Sequence, residues 1–316
     1  MNLLITGGCG FIGSNFVDLV LNSKSLLVDK VVNLDALTYA GSLNNTKEFE
    51  NNKKYVFEKV NLCDSQQVER VFSEHNITHV VHLAAESHVD SSILDPGAFI
   101  DTNVVGTYNL LQAAREHSVR FHHVSTDEVY GALGDTGKFT EKTSYDPRNP
   151  YSASKAASDF LVLAYYHTYG LRATISNCSN NYGPRQHKEK FIPKIISCLL
   201  NGNKIPLYGT GTNVRDWIYV KDHCEGIWSI LQNGVIGETY CIGSNCEKRN
   251  IEIIKEICAV MQLDPDKSIE YVADRLGHDF RYAIDSTKIM ENLDWTPETS
   301  FDVGIRQTIR WYNEEN

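Results

Sequence analysis

The chain has 316 residues with 42% hydrophobic and 22% charged content, an ordinary balance for one large or two coupled globular domains. A formal net charge of −10 argues against a nucleic-acid surface, although a small anion-binding site inside an acidic protein can still be locally positive. No apolar run reaches the length needed to span a bilayer, and Met1–Thr6 leads straight into glycines without the basic region of a signal peptide, so it reads as a strand and a cytoplasmic location is expected.

Leu3–Ile5 predicts the first strand, and Thr6-Gly-Gly-Cys-Gly-Phe-Ile-Gly13 follows it into a helix over 12–21. The run fits Gly-x-Gly-x-x-Gly through Gly8, Gly10 and Gly13, and a wider spacing through Gly7, Gly10 and Gly13. Missing side chains let the backbone approach a pyrophosphate, and the helix N-terminus supplies amide donors and a positive dipole end. Phe11 and Ile12 belong to the same cofactor wall. Such a motif is weak alone; strand before, helix after and an acid at the end of the next strand give it weight. That acid is Asp35, 22 residues past Gly13 and just beyond the predicted strand 31–34. A carboxylate there hydrogen-bonds the adenine ribose and repels a 2′-phosphate, so NAD is expected rather than NADP. A third strand over 55–60 leads to Asp64, expected to face the adenine, and a helix over 65–75. A fourth strand over 79–83 ends at Leu83-Ala84-Ala85, small enough to let a dinucleotide lie close.

A long helix over 99–116 leads to a fifth strand, 123–125, then Thr126-Asp127-Glu128. Next comes a helix over 151–169 that starts with Tyr151-Ser-Ala-Ser-Lys155. Tyr151 and Lys155 lie one turn apart on one face, where a lysine ammonium lowers a phenol's pKa and fits it to act as a base. Tyr-x-x-x-Lys is by itself a weak pattern, and an amphipathic surface helix explains it equally well in an arbitrary chain. The upstream cofactor motif and the strand aimed at the helix favour chemistry. Ser125 or Thr126 supplies a third hydroxyl. The adjacent carboxyls Asp127 and Glu128 suit the elimination of water, provided that their environments split their protonation states.

A strand at 173–176 closes the alternation, which predicts a doubly wound parallel Rossmann sheet. Residues 1–176 are expected to form the NAD-binding domain and 177–316 mainly a smaller mixed α/β substrate-binding domain. Part of 214–245 is an alternative candidate for a return to the first sheet. In the second region helices are predicted over 192–200 and 251–261, separated by loops over 180–184, 208–213 and 243–250. Eight scattered cysteines without a Cys-x-x-Cys read as free thiols, and His79 and His82 around Val80-Val81 read as packed strand residues, so no metal is expected. Arg215 and Arg281 are candidate anion grips, because a guanidinium holds phosphate in a bidentate fork.

Together these residues resemble the extended short-chain dehydrogenase/reductase superfamily and, within it, the nucleotide-sugar 4,6-dehydratases, over essentially the whole length. The sharpest piece is Ser125-Thr-Asp-Glu-Val-Tyr-Gly131; sibling 4-epimerases share the glycine loop and Tyr-x-x-x-Lys but usually lack the Asp-Glu pair. Leu83-Ala-Ala-Glu-Ser-His-Val-Asp90, Asn177-Cys-Ser-Asn-Asn-Tyr-Gly-Pro184, Glu189-Lys-Phe-Ile-Pro193, Asn213-Val-Arg-Asp-Trp217 and Gly277-His-Asp-Phe-Arg-Tyr282 support it. Departures are Leu276 for the usual Pro, Ser91 for the usual Arg, and Arg185-Gln-His-Lys188 for a more aromatic stretch.

The resemblance implies oxidation of a sugar C4, loss of water across C5–C6 and return of the hydride to C6. It assigns Tyr151 and Lys155 to hydride transfer, Asp127 as acid and Glu128 as base. It also implies that 177–316 mainly binds a nucleotide sugar, with contacts at Ser87, Thr126, Asn180 and Lys190, Arg215 and Arg281 as the leading diphosphate grips, Asn250 as a further diphosphate contact, and Pro206 and Tyr208 as a wall for the base. dTDP-glucose is the implied substrate. UDP-glucose, a UDP-sugar 4-epimerase and a catalytically silent NAD-binding regulator remain alternatives. Pairing into a homodimer through the helices over 99–116 and 151–169 is expected; neither nucleic acid nor membrane is an expected partner.

Overall fold

The computed structural model describes residues 1–23, 27–274 and 279–315, so Leu276, Gly277 and His278 lie outside the described residues. The first half runs β1 (Asn2–Thr6), α1 (Phe11–Asn22), β2 (Lys30–Asp35), β3 (Tyr55–Lys59), α2 (Ser65–His75), β4 (His79–His82), α3 (Val89–Leu94), α4 (Pro96–Phe99), α5 (Gly106–Glu116) and β5 (Arg120–Thr126). Next come α6 (Pro150–Tyr169), β6 (Ala173–Cys178), β7 (Asn180–Tyr182), α7 (Phe191–Leu200), β8 (Ile205–Tyr208), β9 (Val214–Tyr219) and α8 (Val220–Asn233). The chain ends with β10 (Thr239–Ile242), β11 (Glu247–Arg249), α9 (Asn250–Val260), α10 (Pro265–Ser268), β12 (Ile269–Val272), α11 (Thr287–Leu293) and α12 (Phe301–Glu315).

Seven parallel strands form the main sheet in the order β10-β6-β5-β4-β1-β2-β3. The order reverses between β1 and β4, and a crevice opens there at the carboxyl ends of the strands. Alternate side chains feed two cores. Leu3 and Ile5 face Phe16, Val17, Ile227 and Ile230 of α1 and α8, while Leu4 faces Val68, Phe72, Leu110 and Val162 of α2, α5 and α6. Both faces are therefore apolar, which is why these strands read as near-continuous Val/Ile/Leu runs.

Most of the predicted alternation is present. The helix expected over 99–116 is instead composite: α4 passes through a π-helical stretch, Ile100–Val105, before α5. Asn103 in that stretch is buried; its amide donates to Glu86 O and Ser154 Oγ and accepts from the Glu86 amide. A π-bulge that turns one polar side chain into a site-facing loop is a recurrent functional device.

The loops expected at 180–184 and 243–250 each contain a strand. β7 pairs parallel with β9 through Asn180↔Trp217, and β11 pairs antiparallel with it through Lys248↔Arg215. Asn-Asn-Tyr and Glu-Lys-Arg carry little strand propensity, so pairing to the better strand β9 imposes their conformation. β10 pairs with β6 in the main sheet through Thr239↔Ile175, whereas β9 stays in the three-stranded one. A separate core of Ile192, Ile196, Leu207, Trp217, Ile254 and Ile305 holds the second lobe together.

Close approach constrains the glycine loop most at Gly13. A Cβ there would sit on the Gly7 carbonyl oxygen and 2.8 Å from Gly8 Cα, with only backbone to give way. Gly13→Ala should therefore cost about 1–3 kcal/mol of stability, read as a lowered denaturation midpoint in urea.

Candidate active site

A cleft of about 320 Å³ lies at the reversal of strand order. Gly7, Gly10, Phe11, Ile12 and Gly13 line one end, with Asp35 beside them. Leu83, Ala84 and Ala85 form the floor, and a Cβ at Gly7 would lie 2.8 Å from Ala84 Cα, so the glycine is what lets the loop sit on that floor. Asp35 is buried, with one oxygen accepting from the Cys9 amide at 2.9 Å and the other from the Leu37 amide at 2.8 Å. Burial raises its pKa and those two amides oppose the rise. Asp35 thus braces the glycine loop while lining the place a ribose would occupy.

Asp64 does not line the cleft. Its side chain caps α2 by accepting from the Gln67 amide at 3.1 Å, and Asn61 and Leu62 line the wall expected of it. The signal was available: Asn61 and Leu62 come directly after the third strand, whereas Asp64 already has the position of an N-cap.

At the other end stand Thr126, Asp127, Glu128, Tyr151 and Lys155. The end of β5 delivers the first three: Thr126 caps a single 3₁₀ turn, Asp127–Tyr130, accepting from the Glu128 amide at 3.3 Å. Asn149 delivers the tyrosine. Its side chain and that of Ser152 cap α6 reciprocally, Pro150 occupies the first turn, and Tyr151 is thereby fixed at the helix mouth. Such a cap contributes about 1 kcal/mol. The Asn149 amide also reaches Glu128 Oε2 at 3.4 Å, tying helix start to carboxylate.

Burial and the nearby Glu128 raise the Tyr151 phenol's pKa well above its usual value, and a hydrogen bond with Thr126 opposes this. The expected lowering by Lys155 is not present in this state. Lys155 Nζ turns into the sheet, donating to Val124 O at 2.9 Å and approaching His123 Nε2 at 3.5 Å.

The two carboxyls occupy different environments. Asp127 is pushed well above the ordinary range by burial and by its neighbours Glu128 and Asp216, with Arg215 and the Thr126 hydroxyl opposing. Glu128 is raised by burial too, but Arg215 and Lys190 pull it back, as does the Asn149 hydrogen bond. Both are raised, Asp127 further above the ordinary range than Glu128, a difference in the sense that an acid/base pair needs.

Ser87, Asn180 and Lys190 also line the cleft. Lys190 Nζ donates to Ser87 O at 2.8 Å, and buried Asn180 Oδ1 and Asp127 Oδ2 have no hydrogen-bond partner within the described chain. Unpaired buried oxygens on a cleft wall fit a ligand that supplies hydroxyl or amide donors. Pro206, Tyr208, Arg215, Asn250 and Arg281 are not among the residues lining this cleft. Pro206 and Tyr208 lie on β8, and Asn250 opens α9 with its amide on Asn213 O. Arg215 donates to Val214 O and Asp279 O and lies 4.3 Å over the Tyr282 ring. Arg281, expected as a phosphate fork, instead grips Glu247 through bonds of 2.6 and 3.0 Å.

Sequence reasoning missed His123 and Asp159. Both are fully buried, and His123 Nε2 lies 3.1 Å from Asp159 Oδ1. One signal existed: Tyr151, Lys155 and Asp159 recur at four-residue spacing, hence on one face of α6.

The family model described as GDP-mannose 4,6 dehydratase matches residues 4–308. The dTDP-glucose 4,6-dehydratase of Xanthomonas campestris pv. campestris is 52% identical over 98% of this chain and 92% of its own length. That of Escherichia coli is 47% identical over 99% of this chain and 93% of its own. Among solved structures, the dTDP-glucose 4,6-dehydratase DesIV of Streptomyces venezuelae, with NAD bound, superposes with a TM-score of 0.96 at 45% identity, covering 99% of this chain and 97% of that one. A UDP-glucose 4-epimerase of Thermotoga maritima gives a TM-score of 0.92 at 28% identity, covering 100% and 99%.

The raised Asp127 has a stability consequence. A carboxyl with an elevated folded pKa contributes its stability below its unfolded value and loses it as pH rises toward the folded one. Asp127→Asn should match the parent near about pH 4. Toward about pH 8 it should exceed the parent by roughly 0.5–2 kcal/mol, measured by urea denaturation at the two pH values.

Proposed function

The chain belongs to the GDP-mannose 4,6 dehydratase family, and we propose that within it this protein is an NAD-dependent hydro-lyase that converts dTDP-glucose to the 4-keto-6-deoxy sugar. The observation that carries this reading is the juxtaposition, in one cleft, of Thr126-Asp127-Glu128 with Tyr151 and Lys155. The relatives named dTDP-glucose 4,6-dehydratase and the NAD in DesIV support it.

Bound NAD supplies the acceptor, and later the donor, of one hydride. The glycine loop and the N-terminus of α1 hold its pyrophosphate, Asp35 its adenine ribose, and Asn61 and Leu62 flank the adenine. Tyr151 takes the proton of the sugar 4-hydroxyl, with Thr126 aligning it. The resulting ketone acidifies the C5 hydrogen, which Glu128 removes while Asp127 protonates the departing 6-hydroxyl. Residues 1–176, joined by β10, carry the cofactor, and the remainder carries the nucleotide sugar. Lys190, Asn180 and Ser87 serve the sugar and diphosphate. Arg215, Asn250 and Arg281 serve the diphosphate, Arg281 by exchanging Glu247 for phosphate, and Pro206 and Tyr208 flank the base.

No helix among the described residues is long and apolar enough to cross a membrane. All eight cysteines are free, which suits a reducing cytoplasm. Deoxysugar biosynthesis, including rhamnose, is the proposed setting. A homodimer through α5 and α6 is proposed from their exposed Tyr108, Phe160 and Tyr169.

Incubation with dTDP-glucose should yield a product lighter by one water; an isomer of unchanged mass would mean an epimerase instead. Faster turnover of UDP-glucose than of dTDP-glucose would reassign the nucleotide. Glu128→Gln should lower turnover roughly 10²–10⁴-fold yet leave transient reduced-nicotinamide absorbance, whereas Tyr151→Phe should abolish both signals. Equal loss of both in Glu128→Gln would refute the division of labour. Phe160→Asp should sediment as a monomer if α6 pairs the subunits.

A further inference from the structure

Lys155 is a buried cation, and its immediate partners are neutral. Nζ donates to Val124 O at 2.9 Å and lies 3.5 Å from His123 Nε2. The titratable groups around it are Tyr151 and Asp159 of its own helix, His123 of β5, His82 of β4 and Cys178 of β6. Burial pushes the Cys178 thiol up to about 12 and holds both histidines far below their usual range. Asp127 and Glu128 act on Tyr151 instead. Asp159 is thus the one anion among the groups facing this ammonium.

The carboxylate of Asp159 is itself built to stay ionised. Its Oδ2 accepts from Ser125 Oγ at 2.8 Å, Tyr145 OH at 2.8 Å and Asn177 Nδ2 at 3.3 Å. Three donors on one oxygen favour the anion. Oδ1 has no aligned donor and lies 3.1 Å from His123 Nε2, the same ring nitrogen that Lys155 approaches. Carboxylate and ammonium therefore converge on one nitrogen of the ring. Ser125 and Asn177 come from the ends of β5 and β6, so the anion also fixes where α6 meets the sheet.

We propose that Asp159 is a positioning residue whose charge, set beside the His123 nitrogen that Lys155 also approaches, keeps Lys155 cationic at the foot of Tyr151. Burial alone lowers the Lys155 pKa, and Asp159 is the main opposing influence. Burial pushes Asp159 up to about 6, against Lys155 and the three donors, so it is ionised at neutral pH and above. Without this anion the ammonium loses its proton at lower pH, and Tyr151 then has no positive neighbour to stabilise its phenolate. The inference rests on reading Tyr151 and Lys155 as the proton- and hydride-transfer pair, but its main test needs no turnover.

The test follows the Lys155 ammonium by NMR of protein labelled with ¹³Cε-lysine, the resonance being assigned by its loss in Lys155→Met. Asp159→Asn should lower the Lys155 titration midpoint by on the order of 1–2 pH units. The alkaline limb of kcat/KM should fall by the same amount while the acid limb stays. Tyr145→Phe removes a donor from Asp159 but keeps its charge, and should leave the midpoint in place. A folded Asp159→Asn with an unmoved midpoint overturns the proposal, as does an equal shift in Tyr145→Phe. Asp159→Ser offers the same charge loss in a smaller side chain. If neither neutral variant folds, the carboxylate is structural and the proposal falls. Absence of dehydration together with the shifted midpoint would sink the reaction assigned above and leave this pairing standing.

Discussion

The structure hinges on a buried polar seam between α6 and the carboxyl ends of β5 and β6. Helices normally meet parallel strands through apolar side chains, and the far end of α6 does so through Val162 and Tyr165. Its first three turns instead present Lys155, Ser158 and Asp159 inward, all buried. Ser158 Oγ bonds Asn103 O, which couples the π-helical stretch to the same seam. Burying so many polar groups is tolerable only when nearly every one has a partner. The seam is thus a set of mutually dependent contacts, and it fixes the distance between Tyr151 and the Thr126-Asp127-Glu128 turn. Apolar packing would hold the same helix as firmly but could not set the protonation of a phenol.

Desolvation then differentiates groups of the same chemical type. Asp127 and Glu128 are adjacent in sequence and both are raised by burial; Arg215 opposes the rise in both, whereas Lys190 acts on Glu128, and Glu128 and Asp216 push Asp127 further up. Arg215 is on β9 and Lys190 precedes α7, both in the second lobe. The acid/base asymmetry is therefore imported from the lobe that is expected to hold the substrate. The main sheet supplies the carboxyls, and the neighbouring lobe sets them apart.

The main sheet was legible because strands buried on both faces leave an unmistakable apolar signature, and because the glycine loop has few uses between a strand and a helix. Legibility failed where conformation is imposed from outside. β7 has no strand character of its own and forms because β9 offers a partner. Asp64 looked like a ligand contact because acids at strand ends often are, but the same position opens a helix, and capping wins. Arg281 reads as a phosphate fork from residue type alone, whereas its partner Glu247 is 34 residues away and enters through the pairing of β11 with β9. The seam itself was half visible: helical spacing places Asp159 on the face of Lys155, but nothing local announces that both meet at His123 Nε2.

Arg215 and Arg281 make the coupling of the lobes more specific. Arg215 has its guanidinium planted on carbonyls of Val214, Asp279 and Phe280 and over Tyr282, so its position is set by backbone rather than by an acid. A cation held in this way keeps its charge available to whatever lies nearby, and Glu128 feels it. Arg281, by contrast, is already neutralised by Glu247. A diphosphate approaching this lobe meets one arginine with uncommitted charge and one that must exchange a carboxylate for phosphate. In the proposed reaction, a phosphate that draws on Arg215 would weaken its pull on Glu128 and make that carboxylate more basic. Substrate binding and activation of the proposed C5 base would then be coupled through this one arginine of β9.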